Sequence, residues 1–357
     1  MVKLLEGGLL MSKKKRFILC LTGLLPALLI FGLLCQRQQN RPETPLSRTS
    51  FLLNTVVTVT LYDSSREDIL EEALELCSDY ERIFSRTLPS SELWQLNHGE
   101  LPQEEGLWQL SPELAQLIQK GLSYGELSGG AFDITIEPVS SLWDFTSGKL
   151  PDPRKLQAAL PLVDYRQVRL SGRQLSFARE GMALDLGAIA KGYIADRLKE
   201  FLLSQGVESA LINLGGNVLC VGRRPEGAPF SVGIQKPFAP RSETALILGI
   251  SDRSVVSSGV YERCFEQEGT LYHHLLNPDT GYPWDNALLS VTVISDRSVD
   301  GDGLSTACFA LGLERGMALI DSLPGVQAVF ITDDGQLHFS QDFQEEVPIL
   351  SQDAPAG

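Results

Sequence analysis

The chain has 357 residues, of which 43% are apolar, and a formal net charge of −15 at pH 7. This length and apolar content suffice for a sizeable core in one large domain or in two ordinary ones. The acidic balance argues against nucleic acid as a partner, because a phosphate backbone requires clustered lysine and arginine, which occur only near the start of this chain.

The amino terminus combines a basic cluster, KKKR, with an apolar run that carries no charge over residues 17–35. A helix of about 20 residues crosses a hydrocarbon core of about 30 Å, so the run predicts a single-pass transmembrane anchor. The basic cluster places residues 1–16 in the cytoplasm and the rest of the chain outside, at the cell membrane. A cleaved signal peptide and lipidation of Cys35 stay open as alternatives, as does a start at Met11 in place of Met1.

Residues 36–49 are polar and contain proline, which predicts a linker between the anchor and the domain. Alternating β-branched residues predict a strand over 51–62. Apolar residues at helical spacing predict helices over 65–84 and 111–127. The segment 168–177 indicates a hairpin with a glycine in its turn. These elements suggest helices packed on a sheet.

The segment 181–218 is the most informative stretch of the chain. It predicts a short strand that ends at Leu184, a turn, a helix over 189–205 and a strand over 209–214. A helix start leaves N–H groups free and carries partial positive charge. Because Lys191 in the first turn adds a full charge, the turn suits a phosphate group.

Asp185, at the end of that predicted strand, supplies a carboxylate for a metal, a ligand hydroxyl or a ligand N–H. The alternative is an ordinary βαβ crossover in which Asp185 caps the helix and Lys191 is solvated. Asp133 poses a similar question, because it lies between apolar residues just after a double glycine. It either accepts hydrogen bonds from backbone N–H groups or contacts a ligand.

Two further segments carry residues suited to chemistry. His273 and His274 are adjacent at the entry to a proline-containing loop, where one faces the core or a cleft and the other faces solvent, and we expect His274 to be functional.

Asp302 and Thr306 are four residues apart, so on a helix they point from one face and could bind one ion together. Such hard oxygen donors favour Mg²⁺ over zinc. The alternative is that Asp302 caps the helix and Thr306 bonds back to a carbonyl.

No change of composition divides residues 50–340. We therefore expect one α/β domain of mixed sheets with packed helices, with a two-lobed arrangement as an open variant. The acidic residues 341–357 that follow are predicted to form a disordered tail.

Five motifs occur in the order and approximate spacing of one protein family. They are DLGAIAKGY at 185–193, NLGGN at 213–217, SSG at 257–259, HLLNPDTG at 274–281 and DGLST at 302–306. On these motifs the chain, over about residues 51–339, resembles the ApbE-type FAD:protein FMN transferases. The resemblance implies a single flavin transferase domain of that family's fold.

The resemblance also implies a Mg²⁺ site and a FAD site. The metal would be held by Asp302, Thr306 and the carbonyl oxygen of Ala188, with Ser305 as a secondary candidate. The positions that match the family's flavin site are Leu53, Thr87, Ala131, Phe132, Asp133, Asp185, Lys191 and Leu276. His274 matches the histidine associated with activation of the acceptor hydroxyl.

The activity implied by the resemblance is Mg²⁺-dependent transfer of FMN from FAD to a threonine or serine hydroxyl of an acceptor protein, with AMP leaving. The acceptor is expected to be membrane-associated or exported. A FAD pyrophosphatase, in which water replaces the hydroxyl, and a FAD-binding protein without activity stay open. Asn277 stands where the family usually has aspartate. Gly303 stands where alanine is common, which lowers helix propensity by about 1 kcal/mol.

Overall fold

The structure, a computed structural model, describes residues 44–352. Its strands are β1 Leu46–Leu52, β2 Thr55–Leu61, β3 Gln103–Glu104, β4 Leu107–Gln109, β5 Val168–Ser171, β6 Gln174–Phe177, β7 Ser209–Leu214, β8 Asn217–Gly222, β9 Phe230–Gln235, β10 Thr244–Ile250, β11 Ser254–Gly259, β12 Cys264–Gln267, β13 Thr270–His273, β14 Leu288–Ser295, β15 Gln327–Thr332, β16 Leu337–Phe339 and β17 Ile349–Gln352. Its helices are α1 Glu67–Phe84, α2 Glu92–Asn97, α3 Pro112–Leu127, α4 Glu137–Ser140, α5 Pro153–Ala159, α6 Ala190–Ser204, α7 Ser298–Asp321 and α8 Phe343–Glu346.

An eight-stranded sheet forms the centre of the fold, in the spatial order β1-β2-β7-β8-β11-β14-β15-β16. Neighbouring strands in this sheet are antiparallel in every pairing. Three smaller sheets surround it, in the orders β17-β10-β9, β12-β13 and β3-β4-β6-β5. The molecule is therefore a mixed α/β fold of antiparallel sheets and packed helices, as the sequence predicted.

The central sheet buries apolar side chains on both of its faces. Val293 of β14 and Phe330 of β15 belong to the larger core, which includes residues of α1, α3, α6 and α7. Their neighbours Ile294 and Ile331 belong to the second core, which lies against the small sheet β17-β10-β9. Because successive side chains of a strand point to opposite faces, a strand buried on both faces has a continuous apolar sequence. One sheet thus separates two cores.

The strand predicted over 51–62 is in fact a hairpin of two strands. Its turn residues, Leu53 and Asn54, have positive φ angles of 55° and 59°, as two-residue hairpin turns require. Because the turn residue Leu53 is apolar and continues the apolar run of the strand, the alternation of apolar and polar residues does not mark the turn. The predicted linker 36–49 is also too long, because β1 begins at Leu46 and pairs with β2 over its whole length.

The segment just before Asp185 is irregular, and the strand predicted to end at Leu184 is wrong. Asn97 supplies the reason: its Nδ2 donates to the Leu184 carbonyl at 2.8 Å, and its Oδ1 accepts from the Leu184 N–H at 2.8 Å. A side chain thereby satisfies backbone groups that a neighbouring strand would otherwise satisfy. Because β7 pairs antiparallel with β2 and β8, the βαβ crossover is excluded as well.

The predicted disordered tail 341–357 is wrong for its described part. Phe343 and Val347 are buried in the second core, and β17 pairs with β10. The prediction relied on the acidic composition of this segment. It overlooked the apolar residues between the acidic ones, which lie against the sheet. Residues 353–357 lie outside the described part of the chain.

The predicted cytoplasmic segment 1–16, the anchor 17–35 and Cys35 also lie outside the described residues. Within 44–352, Ser298–Asp321 is the one helix long and apolar enough to cross a membrane. However, half of its apolar window is buried inside the protein, and its backbone is interrupted at Gly312, where φ is 78°. A buried core helix meets the same criteria, so this helix is weak support for a membrane span.

Replacing Phe343 by alanine tests whether the carboxyl-terminal segment stabilises the second core. The side chain is 1% exposed, so its loss should leave a cavity and lower the free energy of unfolding by about 3–5 kcal/mol. Urea denaturation measures this change. Leu350→Ala in β17 is the matched control, because Leu350 is 50% exposed and its truncation should cost no more than about 0.5 kcal/mol. Equally small losses in both variants would contradict the role of Phe343.

Candidate active site

The first turn of α7 is fixed by a carboxylate from α6. Asp196 accepts hydrogen bonds from the N–H groups of Ser298 at 2.7 Å and Val299 at 3.2 Å, two groups that a helix start leaves without partners. The same backbone lies so close to Gly192 of α6 that a Cβ atom there would be 2.3 Å from the Ser298 carbonyl oxygen. Glycine at 192 therefore lets the starts of the two helices meet.

Asp302 joins these two helix starts. Its side chain is buried, and its Oδ2 accepts a hydrogen bond from the Gly192 N–H at 2.5 Å. In a regular helix that N–H would donate to the carbonyl four residues earlier, which belongs to Ala188. Among residues 44–352, no backbone N–H donates to the Ala188 carbonyl. The carboxylate and this free carbonyl oxygen therefore both lie at the start of α6.

Thr306 follows Asp302 by one helical turn and is half-buried, whereas the residues on either side of it are buried. Its Oγ1 lies 3.0 Å from Ser258 Oγ on β11. Ser305, the secondary candidate, donates to the Asp302 backbone carbonyl at 3.0 Å. The alternative for these residues was that Asp302 caps its own helix and Thr306 bonds back to a carbonyl. In the structure Asp196 caps α7, while Asp302 bonds to the start of α6 and Thr306 contacts Ser258.

The donors at this position fit Mg²⁺. Burial raises the pKa of Asp302, while nearby Lys191 and the Gly192 N–H act in the opposite direction, and a buried carboxylate of this kind is stabilised by a cation. Within the described part of the chain, no group of three or more His, Cys, Asp and Glu residues could hold a metal. The candidates are one carboxylate, one hydroxyl and one carbonyl, all hard donors. Mg²⁺ commonly binds through one or two carboxylates and keeps several waters.

Asp185 belongs to an ion-pair network that the sequence did not indicate. Its Oδ2 lies 3.2 Å from Arg86 Nε and 3.0 Å from Ser140 Oγ, and its Oδ1 accepts from the Gly187 N–H at 2.9 Å. Arg86 Nη1 also lies 2.9 Å from Glu137 Oε2. Burial and the Asp185 charge raise the pKa of Glu137 to about 7, although Arg86 opposes the shift. Arg86 thus holds two carboxylates together near the start of α6.

Asp133 has partners within the protein for both carboxylate oxygens. Its Oδ1 accepts from the N–H of Thr135 at 2.8 Å and from the Thr135 hydroxyl at 2.6 Å. Its Oδ2 accepts from the Tyr165 N–H at 2.8 Å. Of the two readings of the sequence, the structure has the carboxylate bonded to backbone groups. These bonds fix the position of the carboxylate in the turn before α4.

The two histidines have different surroundings. His273 is buried, its Nε2 lies 3.0 Å from the Trp284 carbonyl oxygen, and its ring packs edge-on against Phe309. His274 is half-buried, and its Nδ1 has no hydrogen-bond partner among the described residues. Burial lowers the pKa of His274 to about 3, with a further contribution from nearby Arg263. His274 is therefore neutral at pH 7, and its Nδ1 is a buried polar atom without a partner among the described residues.

Glu262 and Arg263, which the sequence analysis did not single out, lie at the same site. Glu262 is exposed to solvent, yet desolvation raises its pKa, while Lys191 and Arg263 oppose the shift and Asp302 adds to it. Because Lys191 also acts on the pKa of His274, these charged and titratable groups lie near one another. No local sequence pattern marks Glu262.

The other predicted flavin-site residues are dispersed around this cluster. Thr87 is exposed and follows Arg86, whereas Phe132 is buried next to half-buried Ala131. Leu276 is half-buried and bridges Pro283 across the loop after His274. Leu53 donates its N–H to Glu81 Oε1 at 2.9 Å. None of the hydrogen bonds or ion pairs among residues 44–352 links Leu53 to Asp185 or Lys191.

Comparison with known proteins extends over most of the chain. The ApbE family model matches residues 53–330. A FAD:protein FMN transferase of Treponema pallidum (strain Nichols) is 35% identical over 327 residues, which cover 85% of this chain and 89% of the relative. A FAD:protein FMN transferase of Klebsiella pneumoniae (strain 342) is 39% identical over 292 residues, which cover 80% of this chain and 89% of the relative.

Solved structures agree with these sequence matches. The flavin transferase ApbE from Vibrio cholerae gives a TM-score of 0.76 at 25% identity, covering 85% of this chain and 99% of that chain. The ApbE protein from Thermotoga maritima gives 0.76 at 28% identity, with coverage of 85% and 99%. The antiparallel α/β fold, together with these relatives and solved structures, thus defines an enzyme of the flavin transferase class. The chain belongs to the ApbE family.

Glu137 should make the stability of the apoprotein depend on pH. Its folded-state pKa of about 7 lies above the ordinary value of 4.5, so the folded protein binds this proton more tightly than the unfolded chain does. The stability that it contributes is fully present below pH 4.5 and is lost as the pH rises through 7. Glu137→Gln should flatten this part of the profile in urea unfolding. The exposed Glu126→Gln is the control, and an unchanged slope in both variants would contradict the prediction.

Proposed function

We propose that this protein transfers FMN from FAD to a threonine or serine hydroxyl of an acceptor protein, in a Mg²⁺-dependent reaction that releases AMP. The observation that carries the proposal is the meeting of α6 and α7 at Asp302, beside the free Ala188 carbonyl and close to Lys191. The names of the relatives, FAD:protein FMN transferase, support flavin transfer as the reaction. FAD is then a substrate of this protein.

The residues that would hold Mg²⁺ are Asp302, Thr306 and the carbonyl of Ala188. A bound Mg²⁺ would neutralise charge that develops on the phosphate oxygens. The protein holds both side-chain donors in place, because the Gly192 N–H binds Asp302 and Ser258 contacts Thr306. Such supporting contacts orient the groups that bind a metal.

Lys191 and the start of α6 supply the positive charge for the diphosphate of FAD. The partial positive charge of a helix start favours an anion, and the Lys191 ammonium group adds a full charge. The N–H groups of Ala190 and Gly192 are already bonded, to the Leu186 carbonyl and to Asp302, so Lys191 carries most of this role. Asp185 is oriented by Ser140, Arg86 and Gly187, so its carboxylate would accept from a ligand hydroxyl or N–H. These groups would fix the dinucleotide relative to His274.

His274 would accept the proton of the acceptor hydroxyl. The hydroxyl is far too weak an acid to ionise at neutral pH, so a neutral imidazole beside it is useful. The ordinary pKa of about 6.5 assumed for such a base does not hold in the apoprotein, because burial and nearby Arg263 lower the pKa of His274 to about 3. The negative diphosphate of bound FAD would raise this pKa again, since a nearby anion favours imidazolium.

The transfer forms a bond between the acceptor oxygen and the phosphorus of FMN, and it breaks the bond from that phosphorus to the oxygen that leaves with AMP. Incubation with FAD, Mg²⁺ and a threonine-containing acceptor peptide, followed by mass measurement of the peptide, tests it. A peptide heavier by the FMN moiety supports transfer. Free FMN and AMP without an adduct would point to a FAD pyrophosphatase. Intact bound FAD would point to a binding protein without activity.

We also propose that the domain lies outside the cell membrane on a single-pass anchor at 17–35, and that its acceptors are membrane-associated or exported proteins. The basic cluster before an uncharged apolar run supports this orientation. Lipidation of Cys35 is the alternative mode of attachment. Protease treatment of intact cells tests the orientation, because only an external domain would be cleaved.

Asp302→Ala should abolish Mg²⁺-dependent turnover of FAD, because it removes the buried carboxylate of the proposed metal site. AMP release, followed by chromatography with and without a chelator, measures turnover. Asp333→Ala, which removes an exposed aspartate after β15, is the control and should retain activity. Full activity of Asp302→Ala would show that the metal assignment is wrong.

His274→Ala should slow FMN transfer by about 10²-fold or more, the usual contribution of a general base, while FAD affinity changes little. Single-turnover transfer to the peptide and equilibrium FAD binding measure the two quantities separately. His338→Ala in β16 serves as the matched histidine control. A loss of FAD affinity that accounted for the whole decrease would assign His274 to binding.

A further inference from the structure

Tyr124, a buried residue of α3, packs against the turn of α7 that carries Asp302. A Cβ atom at Gly303 would lie 2.3 Å from Cε2 of the Tyr124 ring and 2.6 Å from its Cδ2 and Cζ. A side chain at 303 would therefore displace the ring or the helix. Position 303, where the family commonly has alanine, is glycine in this chain. The Tyr124 ring occupies the space that the methyl group of an alanine would need.

The Tyr124 hydroxyl binds the same turn of α7. It donates to Asp300 Oδ1 at 2.6 Å and lies 3.2 Å from the Val299 carbonyl oxygen. Lys120, one turn earlier on α3, pairs with the same Asp300 oxygen at 2.7 Å. Burial and the Asp300 charge raise the pKa of Tyr124, so the phenol keeps its proton and stays a donor. Two donors of α3 thereby hold the first turn of α7.

The Tyr124 ring also contacts the flavin segment, which is residues 131–133 of the predicted flavin site. Phe132 packs edge-on against it, with ring centroids 5.7 Å apart and an interplanar angle of 69°. The Phe132 N–H donates to Ser128 Oγ, just after α3, at 2.9 Å. Tyr124 therefore lies between Phe132 and the turn that carries Asp302. The two predicted ligand sites meet at this one ring.

We propose that Tyr124 is a positioning residue that aligns the Asp302 turn with the flavin segment, so that the metal site and the flavin site are held in one fixed relation. This inference rests on the metal site of the proposed function. Asp302 is fixed through its carboxylate by Gly192, and the backbone that carries it is fixed by Tyr124 from the other side. Without the hydroxyl, the turn keeps its packing, the Asp196 bonds and the Lys120 pair, but it loses the bond that ties it to the ring beside the flavin segment.

Tyr124→Phe tests this inference, because it removes only the hydroxyl and keeps the ring. In the full-length protein purified without FAD, calorimetric titration with Mg²⁺ should give an affinity about tenfold weaker, as is usual for groups that support metal ligands. FAD affinity in the presence of Mg²⁺ should fall in parallel. A purely structural role would lower the thermal midpoint of the apoprotein and leave the Mg²⁺ affinity unchanged.

Tyr193→Phe is the matched control, since Tyr193 is also a buried tyrosine, but its hydroxyl donates to Gln116 Oε1 at 3.0 Å. Its Mg²⁺ affinity should equal that of the unaltered protein. Gly303→Ala is a second variant, in which the added methyl group pushes against the Tyr124 ring, and it should weaken Mg²⁺ binding with the hydroxyl still present.

The outcomes separate the two proposals. Equal Mg²⁺ affinity in Tyr124→Phe, Gly303→Ala and the unaltered protein would overturn the positioning role and leave the proposed function intact. Failure of the unaltered protein to bind Mg²⁺ would overturn both. Weaker binding in both variants, together with an unchanged Tyr193→Phe control, is the expected result.

Discussion

The site depends on one hydrogen bond, from the Gly192 N–H to the carboxylate of Asp302. It can form only because residue 192 has no side chain, which allows the starts of α6 and α7 to meet. The bond takes the N–H away from the Ala188 carbonyl and leaves that oxygen free. A buried carboxylate with few partners is costly unless a cation joins it. The proposed cation site thus depends on the same contact that packs two helices together.

The charges around this contact would favour the proposed anionic dinucleotide although the protein as a whole is acidic. Lys191 and Arg263 lower the pKa of His274 in addition to the effect of burial. Arg86 pairs with Asp185 and Glu137 in the same region. Local cationic groups in a concave surface attract an anion more strongly than the net charge would suggest. A ligand with two phosphates would raise the pKa of His274 toward its ordinary value as it binds.

Sequence patterns predicted long helices in which apolar residues recur at helical spacing, such as α1 and α3. The resemblance identified the family. The patterns did not predict the turn at Leu53, because an apolar residue occupies a position of positive φ. The irregular segment before Asp185 was also missed, since the side chain of Asn97, far away in the sequence, replaces a strand partner there. The same limit applies to the site: Arg86 and Glu262 join it through tertiary contacts and carry no local motif.

The pairing of β17 with β10 has a consequence for how the protein folds. The second core is covered partly by residues that are synthesised after the whole central sheet, since Phe343 and Val347 follow every one of its strands. Until they emerge, β10 has an unpaired edge of the kind that recruits other chains. Contacts between distant parts of a chain also form slowly. A nascent or carboxyl-terminally shortened chain is therefore the form most exposed to aggregation and to degradation by quality-control proteases.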